Sequence, residues 1–110
     1  MALSEYYQVI SNNRKTYFAE WACDQPKAIV ILVHGLGEHI RRYDEQFNYF
    51  NLQQIACLSA DLKGHGRSEG PRGVWHSIED HFEVIDKLIK EANEKYKGLP
   101  LILYGHSMGG

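Results

Sequence analysis

The run Ala28-Ile29-Val30-Ile31-Leu32-Val33 contains no polar residue, so a strand formed there has no face to give to water. Such a strand must be covered on both sides. That requirement points to a parallel sheet with helices on both faces, because crossover connections place the helices there. Two further segments return to strand character, Ile55 to Ala60, apolar but for Ser59, and Leu99-Pro100-Leu101-Ile102-Leu103-Tyr104, the latter reading as a buried strand. All three run into glycine-rich turns: His34-Gly35-Leu36-Gly37, Gly64-His65-Gly66 after Asp61, and Gly105 to Gly110.

The segments between these strands carry helical patterns. Arg42 to Leu52 places Tyr43, Phe47 and Phe50 at helical spacing. Ser77-Ile78-Glu79-Asp80 opens a second helix with an acidic first turn, and Ile78, Phe82, Ile85, Leu88, Ile89, Ala92 and Tyr96 form its apolar stripe. Glu83 with Lys87, Asp86 with Lys90, and Glu91 with Lys95 fall in the favourable i to i+4 order on its wet side. Gly98 and Pro100 end it. Nearer the start, Tyr6 to Ile10 and Lys15 to Ala22 flank Ser11-Asn12-Asn13, which predicts a hairpin. The expected fold class is therefore α/β, a mostly parallel sheet with an N-terminal antiparallel hairpin, and residues 1–110 form part of one domain. In such sheets ligand sites gather beyond the carboxyl ends of the strands, where all three glycine-rich turns lie.

Composition narrows the partners. Twelve basic and fourteen acidic residues give a formal charge of −2 without a basic block, which argues against nucleic acid. No apolar run is long enough to span a bilayer and no export signal precedes the hairpin, so a cytoplasmic location is expected. Cys23 and Cys57 lack C-x-x-C spacing and read as buried free thiols. Among the six histidines there is no H-E-x-x-H, and His76 and His81 fall on different helix faces, so neither a metal nor a cofactor is expected.

The chemistry is concentrated at Gly105-His106-Ser107-Met108-Gly109-Gly110. G-x-S-x-G is a nucleophile elbow: Ser107 stands on a sharp turn after a strand, and Gly105 and Gly109 provide the clearance that the turn needs. Acyl transfer also requires backbone donors about 3 Å from the developing oxyanion. The N–H of Met108 is one. The N–H of Leu36 is suited to be the second, with His34, Gly35 and Gly37 shaping its loop, although glycines there need do no more than turn the chain. In Asp61-Leu62-Lys63-Gly64-His65-Gly66-Arg67-Ser68 the glycines have the wrong spacing for a phosphate loop. Asp61 as an acid or nucleophile and His65 as a base compete there with a structural turn in which Asp61 and Ser68 bond to nearby backbone; the turn is the better reading.

Taken in order, His34-Gly35-Leu36-Gly37-Glu38-His39, Arg42-Tyr43, Gly64-His65-Gly66-Arg67-Ser68-Glu69-Gly70 and Gly105 to Gly110 resemble the monoacylglycerol lipase and lysophospholipase group of α/β-hydrolases, among the serine aminopeptidase S33-type hydrolases. The resemblance covers roughly Ile29 to Gly110. It implies the N-terminal half of an α/β-hydrolase fold, Ser107 as nucleophile, and Leu36 and Met108 as oxyanion donors; His106, whose side chain on an elbow points away from that of Ser107, reads as support for the turn and not as the base. It implies a small acyl ester as substrate, a monoacylglycerol or a lysophospholipid, and allows for lipid or peripheral membrane contact in a full-length protein. Peptidases and thioesterases share the elbow and are the nearest alternatives; a noncatalytic interaction protein that kept the hydrolase core is the other.

In this group the order is serine, acid, histidine, so both partners of Ser107 would follow Gly110. All six histidines precede the serine. Loss of a triad histidine costs on the order of 10⁶ in turnover, so residues 1–110 by themselves are expected to be nearly inactive, with the strand before the elbow left as an open apolar edge and the isolated chain insoluble or molten.

Overall fold

The computed structural model describes residues 2–10, 14–34, 39–61, 67–68 and 78–105. Along them run β1 (Ala2–Ile10), β2 (Arg14–Ala22), β3 (Ala28–Val33), a 3₁₀ turn (Ile40–Tyr43), α1 (Asp44–Leu52), β4 (Ile55–Ala60), α2 (Ile78–Lys95) and β5 (Leu101–Gly105). The strands form a single sheet in the order β1-β2-β4-β3-β5. β3 lies between β4 and β5 and pairs in parallel with both; β1 and β2 are the predicted hairpin, and β2 attaches it antiparallel to β4.

Every residue of β3 is buried, as its unbroken apolar run demands. On one face Phe18, Ile29, Ile31, Val33, Ala56, Leu58 and Ala60 meet Val84, Leu88 and Ala92 of α2. On the other, Tyr17, Ala19, Trp21, Val30, Leu32 and Cys57 meet Ile40, Tyr43 and Phe47 from the 3₁₀ turn and α1. Helices on opposite faces follow from chain direction. The chain steps one way from β3 to β4 and then back past β3 to β5, and right-handed crossovers in opposite directions lie on opposite faces.

Three expectations need correction. Phe82 is 53% exposed and Val84 takes a buried place instead, because the stripe facing the sheet centres on Leu88 and Ala92, with Phe82 at its outer rim. Glu91 and Lys95 do not simply face water. Glu91 accepts hydrogen bonds from the Tyr6 hydroxyl at 2.5 Å and from the Gln8 amide, while Glu20 accepts from Lys95 at 2.8 Å and from the Tyr96 hydroxyl. These bonds fasten the end of α2 to the hairpin. β5 is a strand with the open apolar edge expected of it, but not a buried one: Ile102, Leu103 and Tyr104 are 47%, 54% and 40% exposed, because β5 pairs only with β3 and stands at the edge of the described sheet.

Gly98, at φ +81, provides the left-handed residue that ends α2, and Leu99 N–H closes back on the Tyr96 carbonyl at 3.2 Å. The turn Ser11 to Asn13 and the helix start at Ser77 lie outside the described residues. Among those that are described, no helix is long and apolar enough to cross a membrane.

Both cysteines are free, Cys57 buried within β4 and Cys23 half-buried. Burial pushes the Cys57 thiol up to about 12, so it stays protonated and unreactive at neutral pH. Iodoacetamide at pH 8 is therefore expected to leave Cys57 unmodified in the native protein and to alkylate it once urea has unfolded the chain. A native adduct on Cys57 would contradict the packing of β4.

Candidate active site

The sheet changes direction at β3, and in open α/β sheets such a switch point opens a crevice beyond the carboxyl ends of the strands. Val33, the last residue of β3, stands opposite Gly105, the last of β5. The segments that follow His34 and Gly105 therefore start from neighbouring strands. On the other side of β3, Leu32 pairs with Ser59, whose hydroxyl donates to the Leu32 carbonyl at 2.6 Å and ties the ends of β3 and β4 together.

Of the predicted site residues, His34 and Gly105 are described: His34 is completely buried directly after β3, and Gly105 closes β5. Gly35, Leu36, Gly37, His106, Ser107, Met108 and Gly109 lie outside the described residues, as does His65. His39 is exposed where the chain re-enters the described structure.

The best-defined polar group at this edge is Asp61, directly after β4 and 1% exposed. Its Oδ1 accepts the N–H of Ile40 at 2.7 Å, and its Oδ2 accepts the N–H of Arg67 at 2.9 Å. Ser68 donates its hydroxyl to the Asp61 carbonyl at 2.6 Å and accepts the N–H of Tyr17 at 2.9 Å; the N–H of Asp61 in turn bonds to the Tyr17 carbonyl at 2.9 Å. Asp61 and Ser68 thus bond to backbone, as the turn reading anticipates. Burying a carboxylate is costly unless such donors satisfy it, and two backbone N–H groups at these distances do so.

Beside this knot lies a charged cluster that sequence reasoning missed. Glu5 Oε1 accepts from Arg41 and from Arg67, both at 2.8 Å, and from the Tyr17 hydroxyl at 2.6 Å, while Arg41 also grips Asp44 at 3.0 Å. The Tyr17 hydroxyl, helped by the two guanidinium charges against some desolvation, holds the Glu5 carboxyl below its ordinary range. Burial, and then the bond to Glu5, push the Tyr17 phenol up. Glu5, Tyr17, Arg41 and Arg67 come from β1, β2, the 3₁₀ turn and the segment after β4, so no local spacing announces them. The ion pairs are partly exposed and contribute little to stability, and the hairpin is held chiefly by the pairing of β2 with β4 and the core side chains of β2.

A sheet ordered in this way, with helices on both faces and an elbow sequence after β5, is that of an α/β-hydrolase. Residues 24–110 match the profile of the family described as serine aminopeptidase, S33, and the chain belongs to that family. It is 39% identical over 89 residues to human monoglyceride lipase, which covers 77% of this chain and 28% of that enzyme. Among solved structures it is similar to a lipase in its open form, with a TM-score of 0.87 and 25% identity over 98% of this chain and 37% of the other. A monoglyceride lipase from Saccharomyces cerevisiae superposes with a TM-score of 0.82 at 23% identity, over 99% and 37%. The chain thus spans less than a third of the human relative's length.

Proposed function

We propose that the protein carrying this chain is a serine hydrolase of carboxylic esters, acting on monoacylglycerols or lysophospholipids through an acyl-enzyme on Ser107. The observation that carries this reading is the pairing of Val33 with Gly105, which starts the His34-Gly35-Leu36-Gly37 loop and the elbow from adjacent strand ends. From there the N–H groups of Leu36 and Met108 can converge on one oxygen while Ser107 attacks the carbonyl carbon. The base that activates Ser107 and the acid that orients it come, in the family order, from residues following the elbow. The name of the human relative supports a glyceride ester as substrate, and the family description keeps an aminopeptidase in view. The three site residues act through backbone donors and one hydroxyl, and neither a metal nor a cofactor enters this mechanism.

The test uses the full polypeptide that carries this segment. A fluorophosphonate probe is expected to label Ser107, and monoacylglycerol or lysophospholipid to be turned over faster than an aminoacyl amide or an acyl thioester. A protein that leaves Ser107 unlabelled is not a serine hydrolase; faster cleavage of the amide or the thioester moves the assignment to a peptidase or a thioesterase on the same scaffold.

A further inference from the structure

Asp61 lies across β3 from the elbow strand, yet its carboxylate holds two loops at once. Oδ1 takes the N–H of Ile40, the residue at which the chain returns from the His34-to-His39 segment. Oδ2 takes the N–H of Arg67, where the chain returns from the segment after β4. Ile40 and His34 are both completely buried, so the two ends of the segment that carries Leu36 are set in the core, one at the end of β3 and the other by the Asp61 carboxylate. The carboxylate is itself fixed. Its backbone is bonded to Tyr17, and its carbonyl to the Ser68 hydroxyl.

We propose that Asp61 is a positioning residue for acyl transfer: through the N–H of Ile40 it sets the loop that presents the Leu36 N–H to the oxyanion. This deepens the ester-hydrolase reading and rests on it. A neutral turn residue would do for chain reversal alone. A buried carboxylate with one oxygen on the Ile40 N–H and the other on the Arg67 N–H ties together the points at which the two segments end. In the transition state the oxyanion donor must lie within a few tenths of an ångström of its place, so a loosened Ile40 acts on the transition state and not on ground-state binding.

Asp61→Asn keeps the shape but turns one acceptor into an NH₂ group that faces a backbone N–H. In the full polypeptide it is expected to lower kcat/KM for an ester about tenfold, less than the 10²–10³ lost with a whole oxyanion donor. A trifluoromethyl ketone, which forms a tetrahedral adduct on the serine, is expected to bind about tenfold more weakly, while an unreactive ether analogue of the substrate keeps its affinity within about twofold. Ketone affinity that does not change, or ether affinity that falls in parallel, overturns the proposal. Replacing the Ile40 amide by an ester, through the corresponding α-hydroxy acid, removes only the donor and leaves the carboxylate intact. That variant must reproduce the selective loss of ketone affinity, whether or not Asp61→Asn folds, and wild-type behaviour there also overturns the proposal. A wild-type protein that neither hydrolyses esters nor binds the ketone defeats the hydrolase reading and this one together; an active wild type with an indifferent variant defeats this one alone.

Discussion

Ser107→Ala in the full polypeptide is expected to reduce kcat for ester hydrolysis by about 10⁶-fold, the loss seen when the nucleophile of an intact triad is removed. The size follows from how such a triad works. Base, acid and serine act as a unit, so without the hydroxyl the others have nothing to activate, and what remains is the contribution of oxyanion donors and substrate binding. Alanine fits the same backbone and fills less space, so the unfolding midpoint should stay within experimental error of wild type. That pairing of results makes the measurement decisive. A single-turnover assay with a chromogenic ester, run beside a urea titration, would report both, and a loss smaller than about tenfold would mean that another group carries the acyl chain.

β3 and β4 have the bounds that their sequences predict, because a strand covered on both faces must be apolar almost throughout and its ends stand out against glycine and aspartate. β1 is harder. It begins at Ala2, four residues before the apolar pattern suggests, since an edge strand with Leu3, Tyr7 and Val9 exposed owes its place to main-chain pairing with β2 rather than to a buried face. The turn from α1 into β4 is similarly silent: Gln54 adopts φ +62, a conformation for which the sequence offers no glycine.

The candidate site is read from motif chemistry, and its surroundings are not. Motif spacing marks Ser107 and the two glycine-rich segments as candidates, and the parallel strands β3, β4 and β5 after which those segments follow lie side by side. Asp61 reads from sequence best as a turn residue, since its link to Ile40 joins residues 21 apart that share no motif spacing. The cluster of Glu5 with Arg41 and Arg67 is illegible for the same reason, its members being 36 and 62 residues apart in sequence. Contacts that span the sheet are visible only after its strand order is known.

Phe47→Ala is expected to destabilise the protein by about 3–5 kcal/mol, the range for removing a buried phenylalanine from a core. Phe47 is the post on which α1 stands. It is completely buried, and its ring centroid lies 3.9 Å from that of Trp21 on β2 and 6.4 Å from that of Tyr43. A loss of that size is a large part of the roughly 5–15 kcal/mol by which a domain is usually stable, so the variant should unfold at markedly lower urea with an unchanged slope. The same cluster contains Ile40, whose N–H meets Asp61, so the loosening reaches the bond on which the proposed role of Asp61 rests. Well below the unfolding transition, ester turnover by Phe47→Ala should therefore fall while Asp61 and Ser107 are intact. A penalty under about 1 kcal/mol would mean that α1 is held by something other than this ring, since so small a cost belongs to surface positions and not to core cavities.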